Sequence, residues 1–168
     1  MSGFLSAGLF DAIPDEALYY FEGDENEDLT GGWIETYTEE SFSTSKNDDN
    51  LETIAIDGNG RATFGTDLAV DLSDVNTLRV EWECPQVAET SGDARMILNA
   101  MDDPNVGEVA GDALLLIDNI DAPRERQEDT LDVSDISGEK RLRVGAWHGS
   151  SDVSGTTEVK TYQIGIAD

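Results

Sequence analysis

The strongest constraint on this chain is a two-residue alternation that recurs in short runs. Leu78, Val80, Trp82 and Cys84 are apolar while Arg79, Glu81 and Glu83 between them are charged, and Leu142, Val144 and Ala146 alternate in the same way. Side chains two apart share a face in a strand, so each run reads as a strand with one buried and one wet face. A helix of three turns needs apolar residues three and four apart, and no such stripe occurs. Strands are predicted at residues 18–22, 32–39, 51–57, 61–65, 77–84, 94–101, 113–120, 124–133, 141–147 and 158–166. Asp57-Gly58-Asn59-Gly60 is a tight-turn signal between two of them, and Gly92, Gly107, Gly111 and Gly155 mark further turns. Many short strands with frequent turns predict an all-β fold, a two-sheet antiparallel β-sandwich of jelly-roll type. The 168 residues suit one domain. Residues 18–168 are expected to form the sandwich, and residues 1–17, closing near Pro14, an N-terminal arm.

One stretch of sequence echoes another. Asp71-Leu72-Ser73-Asp74-Val75 leads into Leu78-Arg79-Val80 and Trp82, and Asp132-Val133-Ser134-Asp135-Ile136 leads into Leu142-Arg143-Val144 and Trp147. Each is read as a polar cap and short turn feeding a strand that drives an aromatic inward.

Charge limits the partners. There are 37 Asp and Glu against 10 Lys and Arg, a formal net charge of -27, and the only lysines are Lys46, Lys140 and Lys160. Disorder is excluded because 38% of the residues are hydrophobic, in runs such as residues 113–117. A globule of this mass exposes roughly 8,000 Å², which places neighbouring acids about 15 Å apart. The Debye length is about 10 Å at 0.1 M salt and about 3 Å at 1 M, so molar salt removes a repulsion that dilute buffer leaves in place. The expectation is a protein of a halophile. Nucleic-acid binding would need clustered cations in the sequence, and none stand out. No run approaches the ~18 apolar residues of a membrane span, so no membrane insertion is expected. Residues 1–10 lack the cationic start of a signal peptide. Cys84, the single cysteine, has no partner for an internal disulfide.

Little in the residues speaks for catalysis. His148 is the one histidine and sits beside Trp147, where a strand-end or loop role is expected. No nucleophile elbow, phosphate loop or His-rich metal motif occurs, so neither an enzyme nor a cofactor is expected. Pairs of carboxylates carry no information in so acidic a chain. Asp24, Glu25, Asn26, Glu27 and Asp28, and separately Asp48, Asp49 and Asn50, cluster oxygens of the kind calcium takes, without the spacing of a known loop. A binding role for sugars draws on aromatic residues, because a flat ring stacks on a sugar ring. The candidates are Trp33, Tyr37 and Trp147, with Tyr19 and Tyr20, whereas Trp82 alternates with core residues and is expected inside.

Leu18-Tyr19-Tyr20-Phe21-Glu22-Gly23-Asp24-Glu25, followed by Leu29-Thr30-Gly31-Gly32-Trp33, resembles a domain of tailed-phage structural proteins. Those proteins continue with a Ser/Thr/Lys-rich stretch, matched by residues 41–46, then an Asp-Leu-Ser turn and a Thr-Leu-x-Val strand, matched by Asp71-Leu72-Ser73 and Thr77-Leu78-Arg79-Val80. The family usually has a cysteine after Gly-Asp-Glu, where this chain has Asn26. The resemblance implies that Gly23, Asp24, Glu25, Thr30, Gly31, Gly32 and Trp33 are fold determinants. It also implies a non-enzymatic virion protein of a tailed virus of halophilic archaea, in a tail fibre, baseplate, capsid turret or decoration subunit. Such a chain would form a homo-oligomer, dock to other virion proteins through Phe4, Leu5, Leu9 and Phe10 of the arm, and contribute to host attachment. A carbohydrate-binding sandwich module is the alternative.

The charge yields a direct expectation. Circular dichroism should show cooperative folding above about 1 M salt and loss of structure in dilute buffer, because only the former screens neighbours about 15 Å apart. Full stability at low salt would remove the halophile reading.

Overall fold

The computed structural model describes residues 19–20, 33–38, 42–47, 50–66, 69–88, 93–102, 113–118 and 121–166. Among these there is no helix. The strands in chain order are β1 (Tyr19–Tyr20), β2 (Trp33–Thr38), β3 (Ser43–Lys46), β4 (Leu51–Ile56), β5 (Gly60–Thr66), β6 (Val70–Asp71), β7 (Thr77–Gln86), β8 (Ala94–Met101), β9 (Ala113–Asp118), β10 (Gln127–Asp132), β11 (Glu139–His148) and β12 (Thr156–Ile166). They make two antiparallel sheets. The first runs β10-β7-β12-β4-β3 with β1 also on β12, and the second runs β2-β5-β11-β8-β9 with β6 also on β11. The chain passes repeatedly between sheets, as from β10 to β11 to β12, which gives the expected jelly-roll-like sandwich. It exposes 8594 Å², close to the area on which the acid spacing was reckoned.

The alternation sets the core. Leu78, Val80, Trp82 and Cys84 of β7, with Val159 and Ile164 of β12, pack with Ala62 and Phe64 of β5, Met96 and Leu98 of β8, and Leu142, Val144 and Ala146 of β11. Trp82 is fully buried. Its indole N–H donates to the Asp129 carboxylate on the neighbouring strand, which satisfies the one polar atom the ring takes inside. Cys84 is buried as expected. Burial pushes its thiol up to about 12, and the sulfur donates to the Gln86 carbonyl, so it is a protonated packing residue.

Two strands were not foreseen. β3 is Ser-Thr-Ser-Lys, with no apolar alternation to betray it, because it is an edge strand paired only with β4 and largely solvated. β6 is two residues long. The turn at Asp57-Gly58-Asn59-Gly60 forms, with Asp57 and Gly58 at φ 46° and 80°. It joins β4 of one sheet to β5 of the other, so it is a corner of the sandwich rather than a hairpin.

The internal echo is real at its start and breaks at its end. The Ser73 and Ser134 backbone N–H groups each donate to the Asp two residues before, Asp71 and Asp132, at 3.0 Å, and the two hydroxyls donate to the same carboxylates. Those hydrogen bonds hold both exposed carboxyls below the usual aspartate range. Each turn launches a strand into a different sheet, β7 or β11, with Leu78 and Leu142, then Val80 and Val144, fully buried. Trp82 follows Val80 by two residues, but Trp147 follows Val144 by three. One extra residue reverses the face of a strand side chain. Trp82 therefore points inward and Trp147 outward, and the expectation that both aromatics enter the core is corrected for Trp147.

The two faces should respond differently to truncation. Leu142→Ala in the core should cost about 2–5 kcal/mol in urea unfolding. Ile56→Ala, at a position 41% exposed, should stay within about 0.5 kcal/mol. Equal costs would contradict the assignment of faces.

Candidate functional site

The outer face of the second sheet is where chemistry-bearing side chains gather. Residues directly opposite in an antiparallel pair share a face. The register sets Trp147 opposite Arg61 and Arg95, Gly145 opposite Thr63 and Ile97, Arg143 opposite Gly65 and Asn99, and Arg141 opposite Met101. Leu142, Val144 and Ala146 between them belong to the core, so these positions lie on the sheet's other face. Most of that face is covered, with Arg61, Thr63, Ile97, Asn99, Met101 and Arg143 buried and only Trp147, Arg95 and Arg141 among them partly exposed. They form successive rows across β5, β11 and β8, about 7 Å apart along the strands and about 5 Å apart between them.

Trp147 anchors the row nearest one end of the sandwich. Its half-buried ring lies beneath the Arg95 guanidinium, 4.7 Å from the ring centroid. Arg95 also reaches Asp93 at 3.6 Å, a loose pair. Gly149 lies so close that a Cβ there would meet the Trp147 ring at 3.2 Å. In the next row Gly145 adopts φ 153°, and any Cβ would run into the Ala62 carbonyl. The Ala62 backbone therefore packs directly against Gly145, and only glycine fits there. Arg143 and Asn99 are fully buried. Arg61, Arg95, Arg143, Thr63 and Asn99 each make further contacts within the chain, so their polar ends are held in place.

Of the sugar-stacking candidates, the structure brings three to this sheet. Trp147 lies on the outer face, Tyr37 of β2 is registered with Thr63, an outer-face position, and Trp33 with Thr66, on the opposite parity, across a bulge between Glu35 and Tyr37. Tyr19 and Tyr20 belong to the other sheet, opposite Ile164 and Gln163 of β12. The remaining motif residues (Gly23, Asp24, Glu25, Thr30, Gly31 and Gly32), the arm residues Phe4, Leu5, Leu9 and Phe10, and the calcium candidates Asp24, Glu25, Glu27 and Asp28 lie outside the described residues, as do Asp48 and Asp49. Among the described residues no three His, Cys, Asp or Glu side chains gather as a metal site.

The arginines are the residues of this face that sequence reasoning passed over. Arg61, Arg141 and Arg143 alternate with apolar or small residues, and strand parity alone would have grouped Arg141 and Arg143. Uniting them with Arg61 and Arg95 required the sheet order.

His148 ends β11 as expected, but on the core side. Its Nε2 is 2.8 Å from the Thr157 hydroxyl, and the ring meets Phe42 edge-on at 5.5 Å. Burial holds its pKa below the ordinary histidine value, against the opposing pull of the Gly58 carbonyl and Asp57.

The comparisons with known proteins now bear on the fold. No sequence-family model matches the chain, and no curated protein matches it in sequence. Solved structures do resemble it. One carries the description "Structural basis for the promiscuous specificity of the carbohydrate-binding modules from the beta-sandwich super family", with TM-score 0.53 and 14% identity, over 91% of this chain and 62% of that one. Two mutants of a family 29 carbohydrate binding module have TM-scores of 0.52, at 11% and 12% identity, over 90% of this chain and 90% and 89% of theirs. At these identities the likeness establishes a β-sandwich fold and nothing finer. The chain also spans 21% of the secreted serine protease VesC from Vibrio cholerae, at TM-score 0.45 and 10% identity, a likeness too loose to use.

The buried imidazole gives a pH expectation. Its folded pKa is lowered, so the unfolded state binds the extra proton, and stability falls as pH drops below the unfolded value of about 6.5. At constant molar salt, the urea midpoint of the native chain should decline between pH 8 and 5 more steeply than that of His148→Gln. Parallel profiles would show that His148 is not the group responsible, since both chains share every carboxylate.

Proposed function

We propose that this chain is a non-catalytic carbohydrate-binding β-sandwich module, with the partly exposed Trp147 end of the second sheet as its binding surface. The observation that carries the reading is Trp147, held on the outer parity with its half-buried ring against the Arg95 guanidinium. A sugar offers an apolar C–H face and a rim of hydroxyls. An indole suits the first, and Arg, Asn and Thr side chains suit the second. A site of one flat ring with a few positioned polar groups is the usual makeup of a small-molecule cleft. Several of the structures that share the fold over nine-tenths of this chain are described as carbohydrate-binding modules. The virion role, with its docking arm, rests on the sequence resemblance at residues 18–33, 41–46, 71–73 and 77–80 and takes second place.

The test is affinity electrophoresis and glycan-array binding in molar salt. The native chain should be retained by at least one polysaccharide. Trp147→Ala should keep its circular dichroism spectrum and lose binding at least about tenfold, or ~1.4 kcal/mol. Unchanged retention would remove Trp147 from the site, and no retention of the native chain by any glycan would remove the reading.

A further inference from the structure

Both sheets converge on one buried imidazole. His148 ends β11 of the second sheet with its side chain fully buried, and its Nε2 lies 2.8 Å from the hydroxyl of Thr157, near the start of β12 in the first sheet. That hydroxyl is fully buried too and accepts the Ala88 backbone N–H at 3.3 Å. Its own proton has Nε2 as its one acceptor among the described residues. Nε2 therefore accepts, and the proton of the neutral ring sits on Nδ1. Nδ1 closes no well-aligned hydrogen bond, although the Gly58 carbonyl draws on the ring as an acceptor. Charges around the ring are few. Gly60 of β5 and Ala94 of β8 are registered with His148, and Phe42 meets it edge-on, all uncharged. Asp57 of the β4–β5 corner is the carboxylate that acts on it, and Asp57 already accepts the Gly155 N–H at 2.7 Å. Asp93 and Arg95 belong to the other side of the strand, with Gly149 around the Trp147 ring.

We propose that His148 is a positioning residue for the Trp147 site and makes that site pH-dependent: the neutral ring holds the end of β11 that presents the indole, and a second ring proton releases it. This rests on the carbohydrate-binding reading and adds its regulation. Trp147 and His148 are neighbours on one strand, so they face opposite sides and the backbone that fixes one fixes the other. The same end is tied by Gly149, whose N–H donates to the Asp93 carbonyl at 2.8 Å and whose bare Cα lies against the indole. Protonation would turn Nε2 into a donor. Thr157 would then have to turn its own proton away from its one acceptor, and a cation would stand buried with only Asp57 to offset it. The strand ends at His148, so the ring can reach water by unpairing that last residue, and the adjoining indole loses its seat. Burial holds the ring's pKa below the ordinary histidine value, so the neutral form is kept through neutral pH and release comes on acidification.

His148 is the only histidine, so NMR of the full chain in molar salt follows its ring alone. The ring should be protonated at Nδ1 and free at Nε2 before it titrates. Between about pH 8 and about pH 5, the span in which histidine changes charge, the Trp147 indole resonance, identified by its loss in Trp147→Phe, should move with the His148 midpoint. The resonance of the buried Trp82 should stay. Thr157→Val should raise the midpoint, because it removes a hydrogen bond to the neutral form. In gels of galactomannan and of hydroxyethylcellulose, both uncharged, retention of the native chain should fall at least about threefold over that span, as expected when the binding conformation loses population. His148→Gln should lose this step. A Trp147 resonance that ignores His148, or a Trp82 resonance that moves with it as the whole sandwich unfolds, would overturn the positioning role. Retention that is independent of pH in the native chain, or that falls equally in His148→Gln, would overturn the pH control and leave the carbohydrate-binding reading in place. No retention in either gel at any pH would count against that reading, and the indole titration would then decide the positioning role by itself.

Discussion

Everything in this molecule follows from which side of a strand a residue falls on. The core exists because β7 and β11 each send every second side chain between the sheets. The same count that buries Leu142, Val144 and Ala146 places Arg141, Arg143, Gly145 and Trp147 on the far side, in register with Arg61, Thr63, Arg95 and Asn99. Packing and the candidate site are one pattern seen from its two faces. Parity cannot be altered locally. A slip of one residue in β11 would exchange the hydrophobic set for the arginines, and the cost of burying unmatched charge fixes the register firmly.

Charge has a second organisation laid over the first. The acidic residues act collectively, as a surface whose repulsion depends on the salt around it. The few cations are placed individually. On the first sheet they close pairs with glutamates, including the fork between Arg126 and the buried Glu81, with the Arg126 guanidinium 4.0 Å from the Tyr162 ring centroid. On the second, Arg143 is fully buried, Arg61 nearly so, and Arg95 lies over Trp147 within 3.6 Å of Asp93.

Much of the fold was legible in the sequence because alternation is a local signal. The strand at residues 94–101 matches to the residue, and that at 158–166 falls short by two. β3 was missed because a solvated edge strand has no buried side to advertise. The Trp147 error was avoidable: counting three residues from Val144, against two from Val80 to Trp82, already puts the two indoles on opposite faces. The site was less legible. The outer side of the second sheet is assembled from strands that begin 79 residues apart in sequence, β5 at Gly60 and β11 at Glu139. Nothing local tells Arg61 that it will lie beside Trp147. Overall acidity hid the pattern further, because it drew attention to the carboxylates, the residues whose positions carry least information.

The twin Asp-x-Ser turns have a consequence for how such a chain can change over time. They sit at the same end of the sandwich and are joined there: the Leu72 backbone N–H donates to the Gly138 carbonyl, the Gly138 N–H to the Ser73 hydroxyl, and the Val133 N–H to the Asn76 carbonyl. The alignment of β7 with β11 is thereby set by main-chain bonds and one short polar side chain, that of Ser73. Outward residues of both sheets can be exchanged without loosening that joint. The fold is in this sense a frame with replaceable panels, and new surfaces can be tried on it while the order of its strands stays fixed.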